Sequence, residues 1–160
     1  MNTSPLTPHP SLSYKRPESV LVVIYTRHGE VLRLRRRIPP DYWQSVTGSL
    51  LDNETPLQAA LREVREETGF LADHGLTDSG VVNRYPIHRA WLAKFAAGTK
   101  ENVEHVFSWS LPAIDAVRLD PHEHLEYRWL PRDEALELAS SSTDRDAILK
   151  LVPKEVRGEG

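Results

Sequence analysis

The segment TPLQAALREVREETG, Thr55 to Gly69, constrains the fold more than any other stretch. Thr55 is a good helix N-cap, Pro56 suits the first helical position, and Gln58 completes a Thr-x-x-Gln capping box. Gly69 supplies the stop. These signals predict a helix over 56–68, in which Leu57, Ala60, Leu61 and Val64 fall at i, i+3, i+4 and i+7 and form the stripe expected to face a core. At about 100° per residue, Glu63, Glu66 and Glu67 gather on a flank about 130° from that stripe, where they can converge on one object. The arrangement is locally unfavourable. Glu63 and Glu67 repel at i,i+4, and carboxylates in the last turns meet the negative end of the helix dipole at roughly 0.3–1 kcal/mol each. Arg62, four residues before Glu66, and Arg65 give partial relief. A local rule broken without visible compensation marks a candidate functional site.

Strand patterns surround this helix. SVLVVIYT at 19–26 and VLRLRR at 31–36, joined by HGE, predict a hairpin, and QSVTGSL at 44–50 a short extended piece ending in a glycine turn. Segments 80–95, 104–111 and 126–130 read as further strands, followed by a helix opened by Pro131 and a last helix around 143–152. Within RLRRR at 33–37, alternation sets Arg33, Arg35 and Arg37 on a solvated side and Arg36 inward. Trp43, Trp91, Trp109 and Trp129 are expected in the core, and His122 and His124 at the surface. The expected architecture is an α/β or α+β sandwich in one domain over 14–153. A leader rich in Pro, Ser and Thr precedes it at 1–13, and a flexible tail follows at 154–160.

Composition narrows the partners. A formal net charge of −3 gives no general attraction to nucleic acid or an anionic membrane, which leaves RLRRR as a local RNA patch the only such alternative. Without cysteine there is neither a disulfide nor a Cys-ligated zinc. No stretch approaches 18 apolar residues and no signal-peptide h-region opens the chain, so the cytoplasm is the expected location.

From Gly48 the chain reads Gly, five residues, Glu54, seven residues, then Arg62, Glu63, Val64, one residue, Glu66, Glu67, one residue, Gly69 and Phe70. This resembles the Nudix box at every specified position. The resemblance implies an α/β Nudix-type α/β/α sandwich with a mixed sheet and one central catalytic helix. It also implies hydrolysis of a nucleoside diphosphate linked to another moiety, with Mg2+ as cofactor and Mn2+ as an alternative. YKRPESVLVVIY at 14–25, YWQSVTGS at 42–49 and HLEYRWL at 124–130 are similar to the Nudix subgroup that releases pyrophosphate from dihydroneopterin triphosphate in folate biosynthesis.

On that resemblance Glu63 and Glu67 bind metal, while Glu66 binds a second ion or orients its neighbours. Glu123, in a late loop, completes the metal site and helps activate water, a role for which Glu126, or neither residue, stays open. Lys15, Arg36, Thr47 and Ser141 contact substrate, and Tyr85 and His88 line the pterin pocket. Gly48 and Gly69 are backbone requirements, Arg62 is structural, and Glu54 is a loop-structuring carboxylate with metal support as the alternative. Many Nudix proteins carry Pro-Gly-Gly where this chain has Val46-Thr47-Gly48, and Asn53 stands where glycine is usual; asparagine tolerates left-handed backbone. The Thr47 hydroxyl is expected to meet the substrate. A small-molecule triphosphate is the expected partner, and oligomeric state is not readable. The alternatives are a (deoxy)nucleoside triphosphate pyrophosphatase and a Nudix module that binds nucleotides without turnover.

Overall fold

The structure, a computed structural model, describes residues 14–72 and 75–154. The expected leader at 1–13, and the tail beyond Lys154, lie outside the described residues. Six consecutive buried residues, Ser19 to Ile24, make β1 (Glu18–Thr26) a central strand covered on both faces. It belongs to a seven-stranded sheet in the order β3 (Trp43–Gln44), β2 (Glu30–Arg36), β1, β6 (Glu101–Leu111), β5 (Thr77–Pro86), with β4 (Val46–Ser49) paired to β1 and β7 (His124–Pro131) to β2. β1 and β6 run parallel from Glu18↔Val103 to Thr26↔Leu111, and the other pairs are antiparallel, so the sheet is mixed.

The sheet forks. β1 and β2 are in register only at Tyr25↔Val31, and beyond it β3 takes the edge of β2 while β4 takes the edge of β1 from Val22↔Val46 to Ser19↔Ser49. Residues 43–49 therefore cross from one half of the sheet to the other. On one face Val20, Val22, Ile24, Leu32, Leu34 and Phe107 pack with Ala59, Ala60 and Val64 of α1 (Pro56–Thr68). On the other, Leu21, Val23, Val31 and Val106 pack under Ala135 and Leu136 of α2 (Arg132–Glu137) and Ala147 and Ile148 of α3 (Ser142–Leu151). This is an α/β/α sandwich.

The α1 boundaries follow the caps: the Thr55 and Gln58 side chains form the reciprocal capping box, and Gly69 is left-handed at φ 80°. Asn53, at φ 64°, also takes the left-handed backbone expected of it. The buried stripe, however, is rotated from the expected one. Leu57 is 49% exposed, and the helix buries Ala59, Ala60, Glu63, Val64, Glu67 and Thr68. Two carboxylates thus lie on the inward side, while Glu66 stays outside.

Three other expectations fail for tertiary reasons. Residues 80–95 are not one strand: β5 ends at Pro86, and a short 3-10 helix, Arg89–Lys94, leaves Trp91 44% exposed. Arg33 is not solvated; it is fully buried. Both faces of β2 are covered, so alternation that sends Leu32 and Leu34 toward α1 sends Val31 and Arg33 toward α3. There the Arg33 guanidinium donates to Asp144 at 2.6 Å and to the Ser45 hydroxyl at 3.0 Å, and Asp144 also accepts from the Ser45 amide and hydroxyl. His124 is likewise buried, 2% exposed, in register with Arg36.

Candidate active site

α1 and β4 build the centre of the site. Glu63 and Glu67, one turn apart, point at the Thr47–Gly48 backbone: the Thr47 amide faces Glu67 Oε1 at 3.4 Å, and a Cβ at position 48 would overlap the Glu63 carboxylate. Gly48 is required for space rather than for a positive φ. The two carboxylates are only 9% and 5% exposed and lie close enough that a proton on one would be shared with the other. Burial pushes the proton affinity of both above the usual carboxylate range. The Glu63 charge and hydrogen bond push Glu67 well above it, while the Thr47 amide partly opposes this.

Arg62 organises the flank. It donates to both oxygens of Glu54 at 2.8 and 2.9 Å, to Glu63 at 3.0 Å, to Glu66 at 3.3 Å and to the Ser49 carbonyl at 3.0 Å. Its hydrogen bonds to Glu54 hold it firmly protonated and draw the Glu54 carboxyl below its ordinary range. Glu54 also accepts from the Leu51 amide at 2.8 Å, so it ties the loop before α1 to the helix. Glu66 is half exposed and has only Arg62 as partner among the described residues.

Lys15 brings a positive charge close enough to act on Glu63. The Lys15 amide donates to the Lys94 carbonyl at 2.8 Å, which brings the end of the 3-10 helix beside the start of β1. Desolvation, then the charges of Lys94 and Arg36, lower the Lys15 ammonium; Glu123 and Glu63 raise it. Arg36 donates to the Ile38 carbonyl at 3.0 Å and lies 6.0 Å over the Tyr42 ring. Glu123 is exposed in the turn before β7, its carbonyl accepting from the Arg37 amide at 2.9 Å and its amide donating to the Asp120 carbonyl at 2.9 Å. Its charge reaches both Lys15 and Glu67. Glu126, the alternative to it, is engaged with Arg35 and Arg128 at 2.9 Å each.

The remaining candidates have local roles. The Thr47 hydroxyl donates to the Val20 carbonyl at 2.8 Å, so its hydrogen serves the β1–β4 pairing. Ser141 is the N-cap of α3, accepting from the Asp144 amide at 3.1 Å, and it also bonds the Tyr42 hydroxyl. His88 caps the 3-10 helix through Nδ1, which accepts from the Ala90 amide at 3.0 Å. Tyr85 sits half-buried on β5, its phenol pushed up to about 12 by burial and the nearby Glu104 charge. Sequence reasoning missed Lys94, Tyr42 and Glu104. No local signal marks them, since contacts distant in sequence bring Lys94 beside Lys15, Tyr42 beside Arg36 and Glu104 beside Tyr85.

A pair of buried, mutually repelling carboxylates with raised proton affinity is a donor set suited to a hard divalent cation. Among the described residues no three His, Asp or Glu side chains already enclose a cation position. The structure brings together Glu63 and Glu67 and leaves Glu123 on the facing loop.

The NUDIX domain family model matches residues 15–151, and the chain belongs to the Nudix family. It is similar to dihydroneopterin triphosphate diphosphatase of Escherichia coli (strain K12), 41% identical over 143 residues, covering 87% of this chain and 94% of that protein. The Haemophilus influenzae protein of the same name is 34% identical over 152 residues, covering 92% and 94%. The solved structure of the E. coli dihydroneopterin triphosphate pyrophosphohydrolase superposes with a TM-score of 0.81 at 40% identity, covering 87% of this chain and 97% of that one. No helix among the described residues is long and apolar enough to cross a membrane.

Proposed function

We propose that this chain hydrolyses 7,8-dihydroneopterin triphosphate to dihydroneopterin monophosphate and pyrophosphate, in the cytoplasm and with Mg2+. The observation that carries the reading is the buried Glu63–Glu67 pair against Gly48, with the Lys15 ammonium close enough to act on Glu63. The similarity over nearly the full length of two dihydroneopterin triphosphate diphosphatases selects the substrate. Glu63 and Glu67 are the residues that would hold the cation, and Mn2+ fits the same oxygen donors. When bound, such a cation polarises phosphoryl oxygens and lowers the pKa of water.

The chain's own residues do the rest. Arg62 anchors Glu63 against the loop carrying Glu54, and Glu66 steadies Arg62. Lys15 and Arg36 bind phosphate oxygens and orient the triphosphate, the guanidinium offering a fork and the ammonium a point charge. Glu123, outside the α1 cluster and close enough to act on Lys15 and Glu67, takes the proton of the attacking water. Tyr85 and Ser141 lie toward the ring end. The test is pyrophosphate release measured across dihydroneopterin triphosphate, the deoxynucleoside triphosphates and a no-metal control. The expected result is the highest kcat/KM on the pterin with Mg2+; a higher value on a canonical nucleotide would make this a nucleoside triphosphate pyrophosphatase, and ligand binding without turnover would make it a silent module.

A further inference from the structure

Glu104 is a buried acid that the reaction centre does not use and that lacks a cationic partner among the described residues. It lies on β6 in register with Ser19, on the sheet face covered by α3, and is only 3% exposed. It accepts from Asn83 Nδ2 at 3.1 Å and from the Tyr85 hydroxyl at 3.3 Å, and bonds the Thr143 hydroxyl. All three are neutral donors. Among the described residues no lysine, arginine or histidine pairs with it, unlike Asp144 nearby, which has Arg33. Burial raises its proton affinity above the usual carboxylate range, as expected for a desolvated acid without a cation. Such a group costs stability that a hydrophobic residue of similar size would not.

Its position gives it a use. The charges of Arg36 and Glu104 both act on Tyr42, which also bonds Ser141, so the carboxylate and a cation suited to phosphate share one neighbourhood. The Thr143 hydroxyl rotates about its C–O bond and can release a carboxylate lone pair to a better partner.

We propose that Glu104 is the specificity-determining residue for the ring end of the substrate, its two oxygens accepting the adjacent N–H donors of a 2-amino-4-oxo ring such as pterin or guanine. The proposal rests on the triphosphate hydrolysis proposed above. A carboxylate matches two neighbouring donors, whereas an adenine edge sets a ring-nitrogen lone pair beside its amine and repels one of the oxygens. Sites built to pair a substrate N–H discriminate strongly against analogues lacking it.

The test is kcat/KM for wild type and Glu104→Gln on dihydroneopterin triphosphate, dGTP and dATP. Glutamine keeps an acceptor for Asn83 and turns a donor toward the ring. The first two substrates should lose about 10- to 100-fold, mostly in KM, and dATP less than about threefold. An equal loss on all three, or no change, overturns the proposal. Should Glu104→Gln fail to melt cooperatively, Glu104→Asp is measured instead; it keeps the charge but withdraws it from the ring, and the same pattern is expected at smaller size, an equal loss again being fatal. If wild type does not turn over the pterin but the dGTP to dATP preference collapses in the variant, the pterin assignment fails while Glu104 stands.

Discussion

The two faces of the sheet each bury charge, and they do so in opposite ways. Under α3, Arg33 and Asp144 form an ion pair at 2.6 Å in which the carboxylate also takes the Ser45 amide and hydroxyl. Beside α1, Glu63 and Glu67 are buried as like charges, with Arg62 reaching only the first of them. The first arrangement is compensated within the chain and makes a scaffold, since the Ser45 end of the fork is pinned to the first turn of α3. The second is compensated only in part, since Arg62 serves Glu63 and among the described residues no cation pairs with Glu67. Burial by itself therefore does not mark a functional group; burial without an internal counter-charge does.

Breaking the uncompensated cluster should have the largest effect on function and the smallest on folding. Glu67→Gln removes one of two carboxylates able to hold a cation worth several kcal/mol to the transition state, so turnover at saturating Mg2+ should fall about a thousandfold or more. Stability should be unchanged or higher, because a buried like-charge pair is relieved. Steady-state kinetics and thermal unfolding of the same preparation check both, and retention of most of the activity would remove the α1 carboxylates from catalysis.

The compensated cluster should behave in reverse. Arg33→Met leaves Asp144 buried without a cation, at about 3–5 kcal/mol of stability by urea unfolding. The Arg33→Met/Asp144→Leu double variant should recover most of that loss, falling short by about 1 kcal/mol because the Ser45 amide is left without its acceptor. KM for the triphosphate in the folded fraction should hardly move. A specific rise in KM for Arg33→Met with intact stability would move Arg33 from scaffold to site.

These contrasts explain what the sequence could disclose. The α1 boundaries were legible because capping chemistry is local: Thr55, Gln58 and Gly69 bond within a few residues of themselves. The carboxylate cluster was legible for the same reason, being confined to five residues. Arg33 was not, since its partner lies 111 residues away and alternation cannot tell a solvent-facing side of a strand from a side covered by a later helix. The stripe on α1 was misplaced because a hydrophobic pattern assumes that carboxylates face out, whereas the space over Gly48 admits Glu63. Glu104 is illegible from spacing, as its neighbours come from β5 and the start of α3.

Glu104 sharpens the comparison through pH. Its folded-state pKa is raised, so the fold favours the protonated acid. Its stabilising contribution is complete below the ordinary carboxylate pKa and is lost as pH rises through the folded value. Glu104→Gln does not titrate. Its stability relative to wild type should therefore increase from pH 4 to pH 8, measured by chemical denaturation; a difference flat with pH would mean that the carboxylate is balanced within the chain as Asp144 is.

The smallest effect is expected at Thr47, which joins the two kinds of group in one residue. Its amide faces Glu67 in the reaction centre, while its hydroxyl donates to the Val20 carbonyl inside the sheet. Substitution by valine keeps the amide, the β-branch and nearly the volume, and deletes only the hydroxyl bond. The structural role therefore predicts a loss of about 0.5–1.5 kcal/mol in unfolding free energy, with kcat/KM and the pterin to dATP ratio unchanged. The hydroxyl oxygen still has a lone pair free to accept, and a substrate N–H or O–H placed against it would shift that ratio instead. Measuring both quantities on Thr47→Val separates the two. A changed ratio without a stability loss would assign the hydroxyl to substrate recognition, and a stability loss alone would place it with Asp144 among the groups that hold the fork in shape.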